Sequence, residues 1–139
     1  MLDNYRDLID ELLATPSTLR TLLGGEGKPS PEVARLIAEL RDRDAAVLDR
    51  LQRMTREREP YLRPLASAEP TIPASRDELL QSFDAERSEL VSLLMNLTLR
   101  DWERIGHEPN GEIRLADEVE RHVEFDEDHV AQIRAALGE

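Results

Sequence analysis

The 139-residue chain carries 30 acidic against 18 basic side chains, a formal net charge of −12, and no cysteine. That length suits one domain over residues 1–139 with its own core and no disulfide staple, and it leaves no thiol nucleophile or Cys-based zinc site. A surface this acidic repels phosphate backbones and anionic lipid, so neither nucleic acid nor a membrane is an expected partner.

No apolar run reaches bilayer length, and Met1-Leu2-Asp3-Asn4 lacks the basic-then-apolar pattern of a signal segment. A cytoplasmic protein is the expectation. Aromatic residues make up only 4% of the chain, so the core must be mainly Leu, Val, Ile and Ala.

Asp3 or Asn4 can cap a first helix, which carries Tyr5, Leu8, Ile9, Leu12 and Leu13 at three- and four-residue spacing. Thr15-Pro16 interrupts it and restarts a turn. Leu19, Leu22 and Leu23 continue the stripe, giving a kinked or two-piece helix that ends at Gly24-Gly25. Ser30-Pro31 opens a long second helix with Val33, Leu36, Ile37, Leu40, Val47, Leu48, Leu51 and Met54 on one side. Asp44 interrupts that face. Arg35, Arg41, Asp42, Asp49, Arg50 and Arg53 form an opposite face expected in solvent.

Between Glu59 and Ser75, Pro60, Pro64, Pro70 and Pro73 exclude regular structure and predict a long crossover loop between helices two and three. Tyr61, Leu62, Leu65 and Ile72 suggest that this loop packs on the bundle. Ser75 and Glu78 have capping-box spacing at the start of a third helix through Leu79, Leu80, Phe83, Leu90, Leu93, Leu94 and Leu97. Glu86 falls on its apolar side and Arg87 at the border. A short turn at Thr98–Trp102 brings Trp102 to plug one end of the core. Asn110-Gly111 then signals an irregular or hairpin-like link, and His107 in it is expected to face solvent.

The last helix runs from Leu115 to Leu137. At about 100° per residue, His122, Asp126 and His129 share a face with Leu115, Val119, Ile133 and Leu137. Four amphipathic helices and no alternating strand pattern describe an all-α four-helix bundle.

Asp44 and the inward groups of the last helix need partners, because unpartnered burial is costly. Imidazole and carboxylate groups on facing helices are the materials of a bundle metal site for zinc, nickel, iron or manganese. The alternative is a metal-free network among Asp44, Asp126, His122, His129 and Arg87. Ser88 and Ser92 have no motif that would make them nucleophiles.

The chain resembles the DinB/YfiT-like bundles over nearly its whole length. The resemblance rests on Tyr5–Leu23 with its Thr-Pro break, Leu36–Asp44, Phe83–Leu97, Leu99–His107, Gly111–Leu115 and the closing His129-x-x-Gln132-Ile133. It implies a DinB-like metalloenzyme with three histidines, one on the second helix and two spaced four apart on the last. By position, His129 is the last of these; the other two fall at Phe125, which cannot ligate, and at Glu39, which can through oxygen. Asp126 matches the acidic residue after the missing histidine. A rearranged metal set would be Glu39 or Asp44 with His122, Asp126 and His129; equally, the scaffold stands without its metal. The resemblance implies hydrolase or low-molecular-weight thiol transferase chemistry, a homodimer and a role in stress response. The alternative expectation is a metal-free, non-catalytic dimer or small-ligand binder.

Overall fold

The computed structural model describes residues 2–25, 27–66 and 68–138, with side chains from Asn4 onward. Helices α1 (Leu2–Leu23), α2 (Pro31–Arg56), α3 (Arg76–Met95) and α5 (Leu115–Ala136) form the bundle. A single turn, α4 (Leu99–Trp102), and a hairpin of β1 (Ile105–Glu108) and β2 (Gly111–Arg114) join α3 to α5. Each of α1 and α2 packs against both α3 and α5, so α1 lies diagonal to α2.

Local chemistry sets the helix ends. Ser30 accepts the Val33 amide and Pro31 opens α2 with its fixed φ; Ser75 accepts the Glu78 amide at the start of α3. Thr98 and Asp101 form a reciprocal capping box around α4. Helix α1 already contains Asp3 and Asn4, so neither stands outside it as the expected cap, and it continues through Pro16 as one helix. At its end, Gly24 takes φ 67°, which side-chain-bearing residues rarely adopt.

The link to α5 is a true hairpin: Ile105 pairs with Arg114, and Glu108 with Gly111. His107 therefore lies on a strand, with Nε2 3.0 Å from Glu59, and not in an irregular loop. The Pro-rich connection docks on β1 through Leu62 N–H to His107 O (2.7 Å) and His107 N–H to Pro60 O (2.8 Å). Leu62 is fully buried and Leu65 partly so, but Tyr61 and Ile72 are exposed, contrary to the expectation that all four pack. Trp102 does close one end of the core, stacked on Tyr5 at 4.5 Å.

The core divides into two apolar clusters. One holds Leu12, Val47, Leu51, Leu90, Trp102 and Val119; the other holds Leu19, Ile37, Leu40, Leu79, Phe83 and Ile133. In sequence, a polar residue falls between the two sets on each helix: Thr15 on α1, Asp44 on α2, Arg87 on α3, Asp126 on α5. The site is that polar layer.

Candidate functional site: a buried charged layer and an adjoining cleft

Arg87 is at the centre of the layer. Its Nε donates to Asp44 Oδ2 (2.8 Å) and Nη2 to Asp44 Oδ1 (2.9 Å) and Asp126 Oδ1 (2.7 Å). Nη1 donates to Asp126 Oδ2 and to the Leu12 carbonyl, both at 2.7 Å. The five N–H donors of a guanidinium are thus all engaged. Thr15 Oγ1 adds a bond to Asp126 Oδ2 (2.8 Å), and His122 Nε2 lies 2.6 Å from Asp44 Oδ1. Burial works against the charge on Arg87, but the bonds to Asp126 and Asp44 outweigh it and hold its pKa above the ordinary range.

The five residues named as metal ligands from the sequence fall into two groups. Asp44, His122 and Asp126 each offer a ligand atom within 4.8 Å of the others, which by spacing could hold a metal ion. Glu39 and His129 form a separate pair, Nε2 to Oε1 at 3.0 Å, and no third donor joins them within that spacing among the described residues.

The first group fits an ion by spacing and not by charge. Arg87 already occupies all four carboxylate oxygens. A divalent ion at roughly 4 Å from a guanidinium would meet a repulsion of about 8 kcal/mol at an effective dielectric of about 20. His122 bonds a carboxylate oxygen, an acceptor, so its Nε2 carries the proton of that bond and has no lone pair for a metal.

The pair at Glu39 and His129 opens on a cleft of about 750 Å³ between α2 and α5, bordered by Ala66, Ala68 and Glu69 of the Pro-rich connection. Phe125 stacks on His129 with ring centroids 4.0 Å apart, and the Arg43 guanidinium sits 4.4 Å from the Phe125 centroid. Two pairs at four-residue spacing therefore face each other: Glu39 and Arg43 on α2, Phe125 and His129 on α5. The positions that the resemblance aligned with three histidines line this cleft.

The profile of the DinB superfamily matches residues 53–133. The chain belongs to the DinB superfamily. Among solved structures, YfiT from Bacillus subtilis superposes with a TM-score of 0.80 at 18% identity, covering 99% of this chain and 87% of that one. YfiT is described as a probable metal-dependent hydrolase with an unusual four-helix bundle topology. At that identity the likeness shows the fold. No curated protein matches the chain. Among the described residues, no helix is long and apolar enough to cross a membrane.

Several participants escaped the sequence. Thr15 reads as a helix restart and not as a partner of Asp126. Arg87 reads as a border residue, although it stands four after Phe83 and three before Leu90, which places it on the inward stripe. Glu86, expected inward, is only half-buried. Arg50, assigned to the solvated face, is 5% exposed and bonds Glu108 (2.5 Å), Glu118 (3.0 Å) and the Arg63 carbonyl (2.5 Å). Its position three after Val47 and four before Met54 carried that signal.

Proposed function

We propose that this chain is a metal-independent, non-catalytic member of the superfamily that binds a small molecule in the cleft beside Glu39, Phe125 and His129. The observation that carries the reading is Arg87. It supplies the positive charge that a bundle with inward carboxylates otherwise takes from a metal, and it does so with every N–H engaged. The layer is then a structural element tying four helices together. At the positions aligned with the family's histidines stands an acid–aromatic–imidazole set, two donors short of one strong nitrogen site. The cleft volume is that of a small-molecule site.

The test is reconstitution. The protein is incubated anaerobically with zinc, nickel, iron and manganese, desalted and assayed for bound metal. Well under one ion per chain is expected, with an unchanged melting temperature. Stoichiometry near one, lost in His129→Ala, would overturn the reading.

That outcome would favour the second reading: a metal-dependent hydrolase, as the description of YfiT suggests, or a thiol transferase, as the family resemblance implies. Its supporting observation is that Nδ1 of both His122 and His129 is buried without a hydrogen-bond partner in the protein. Those are two lone pairs or N–H groups that a bound species would satisfy. A metal-bound water or exogenous thiol would be the nucleophile, since the chain has no cysteine.

A further inference from the structure

We propose that the cleft takes a small organic monocarboxylate, anchored by Arg43 beside the edge of the half-buried Phe125 ring. This rests on the ligand-binding reading above and names its ligand class.

Arg43 is out of keeping with the other arginines. Buried Arg50 and Arg87 and half-buried Arg41, Arg53 and Arg76 all donate hydrogen bonds. Arg43 is half-buried too, yet among the described residues no hydrogen bond or ion pair reaches it; its contact is the Phe125 face. Burial lowers its pKa, Glu118 pulls the other way, and the like charge of Arg50 lowers it further. A part-desolvated guanidinium that no carboxylate hydrogen-bonds among the described residues is an unfilled half of a charge pair.

The cleft cannot supply that anion itself. Glu39 is taken by Arg35 and His129, Asp42 by Arg41, and Glu69 by Arg35. The missing carboxylate must come from outside. Its carbon lies over Phe125 and its N–H groups are left for a planar, two-oxygen acceptor; with His129 and Arg43 on the faces of the ring, the ring edge and the neighbouring Ala45 and Ala46 border the body of the same molecule.

Charge also sets the class. Two arginines and three carboxylates line the cleft, so its formal balance is already negative. A single negative charge placed at Arg43 is tolerated there; a dianionic phosphate is penalised by the three acids.

The test is a two-dimensional amide NMR titration of the full chain at low salt. The probes are benzoate, its neutral isostere benzamide, and phenyl phosphate. Benzoate is expected to give saturable shifts at Arg43, Ala46, Phe125 and His129. Benzamide and phenyl phosphate should bind at least tenfold more weakly. Arg43→Gln should lose tenfold or more in benzoate affinity, whereas Arg100→Gln, the same charge change outside the cleft, should leave it unchanged. Arg43→Lys keeps the charge without the planar fork; if Arg43→Gln fails to fold, an affinity loss in the lysine variant carries the test.

Equal binding of benzoate and benzamide, tighter binding of phenyl phosphate, or full benzoate affinity in both Arg43 variants would overturn the carboxylate assignment. Those outcomes leave ligand binding by the cleft standing. Absence of cleft shifts with any probe, together with metal uptake in the reconstitution experiment, would remove the reading beneath it.

Discussion

Pro16 and Arg87 are linked through a single carbonyl. In a continuous helix the amide of residue 16 would donate to the carbonyl of residue 12, and proline has no amide to give. The Leu12 oxygen is left without that helical donor, and Arg87 Nη1 takes it at 2.7 Å. The gap in the α1 hydrogen-bond ladder is thus part of how α3 is gripped. A helix-interior proline costs about 3 kcal/mol or more, so its removal should ordinarily be strongly stabilising. Pro16→Ala is expected to recover under about 1 kcal/mol in urea unfolding, because the regained helical bond competes with one already made. A gain near 3 kcal/mol would mean that the two donors share the Leu12 oxygen without competing, and that Arg87 does not offset the proline.

Removing the cation itself should be severe. Arg87→Met leaves Asp44 and Asp126 buried with their charges uncompensated, and breaking a buried pair this way typically costs about 3–5 kcal/mol. In a double-mutant cycle with Asp126→Ala, the second substitution should cost less once the first is made, with a coupling of roughly 1–3 kcal/mol. The midpoint of denaturation reads both. Additive losses would show that the two residues act independently, against the geometry.

The four-helix architecture, the hairpin signal and the inward direction of His122, Asp126 and His129 were legible because each rests on spacing along one element. What was not legible depended on pairing across elements. Asp44 could be seen to need a partner, but periodicity cannot say that the partner is Arg87 and not a metal. Both satisfy the same carboxylates, and the choice lies in a side chain on the border of a different helix. Arg50 failed for a related reason. Charge argued for solvent, and its acidic partners Glu108 and Glu118 come from β1 and α5, far along the chain. Arg43 carries no signal of its own in the sequence, since an arginine distinguished by what it lacks shows only once every other contact is placed.

Glu86 gives the pH prediction. Burial raises its pKa above the ordinary 4.5, and the charge of Asp44 raises it further. A carboxyl with a raised folded pKa holds its proton longer when folded. Stability therefore falls as pH climbs from the unfolded value through the folded one, and the penalty is full at neutral pH. Glu86→Gln should then stabilise the protein at pH 7, by no more than about 0.5 kcal/mol because solvent screens so open a site, and bring no gain at pH 3, where both states are protonated. Denaturation midpoints at the two pH values decide it. An equal gain at both would assign the effect to something other than the charge.

The claim that a guanidinium excludes a metal can be inverted. If Arg87 is what closes the group Asp44, His122 and Asp126, whose ligand atoms lie within 4.8 Å of one another, its removal should open it. Arg87→Gln deletes the positive charge and frees carboxylate oxygens beside an imidazole, which becomes a ligand once the ion displaces the Nε2 proton; that is the donor set that zinc or manganese accepts. The variant should be destabilised alone and recover with added zinc, saturably. At a free concentration about one hundred times Kd, one bound ion adds about 2.7 kcal/mol. The unsubstituted protein should show no such shift under the same conditions. The comparison is made by thermal unfolding with and without chelator. An equal zinc response in both proteins would mean that Arg87 is no barrier to a cation; no response in a folded variant would mean that the donor spacing alone does not make a site.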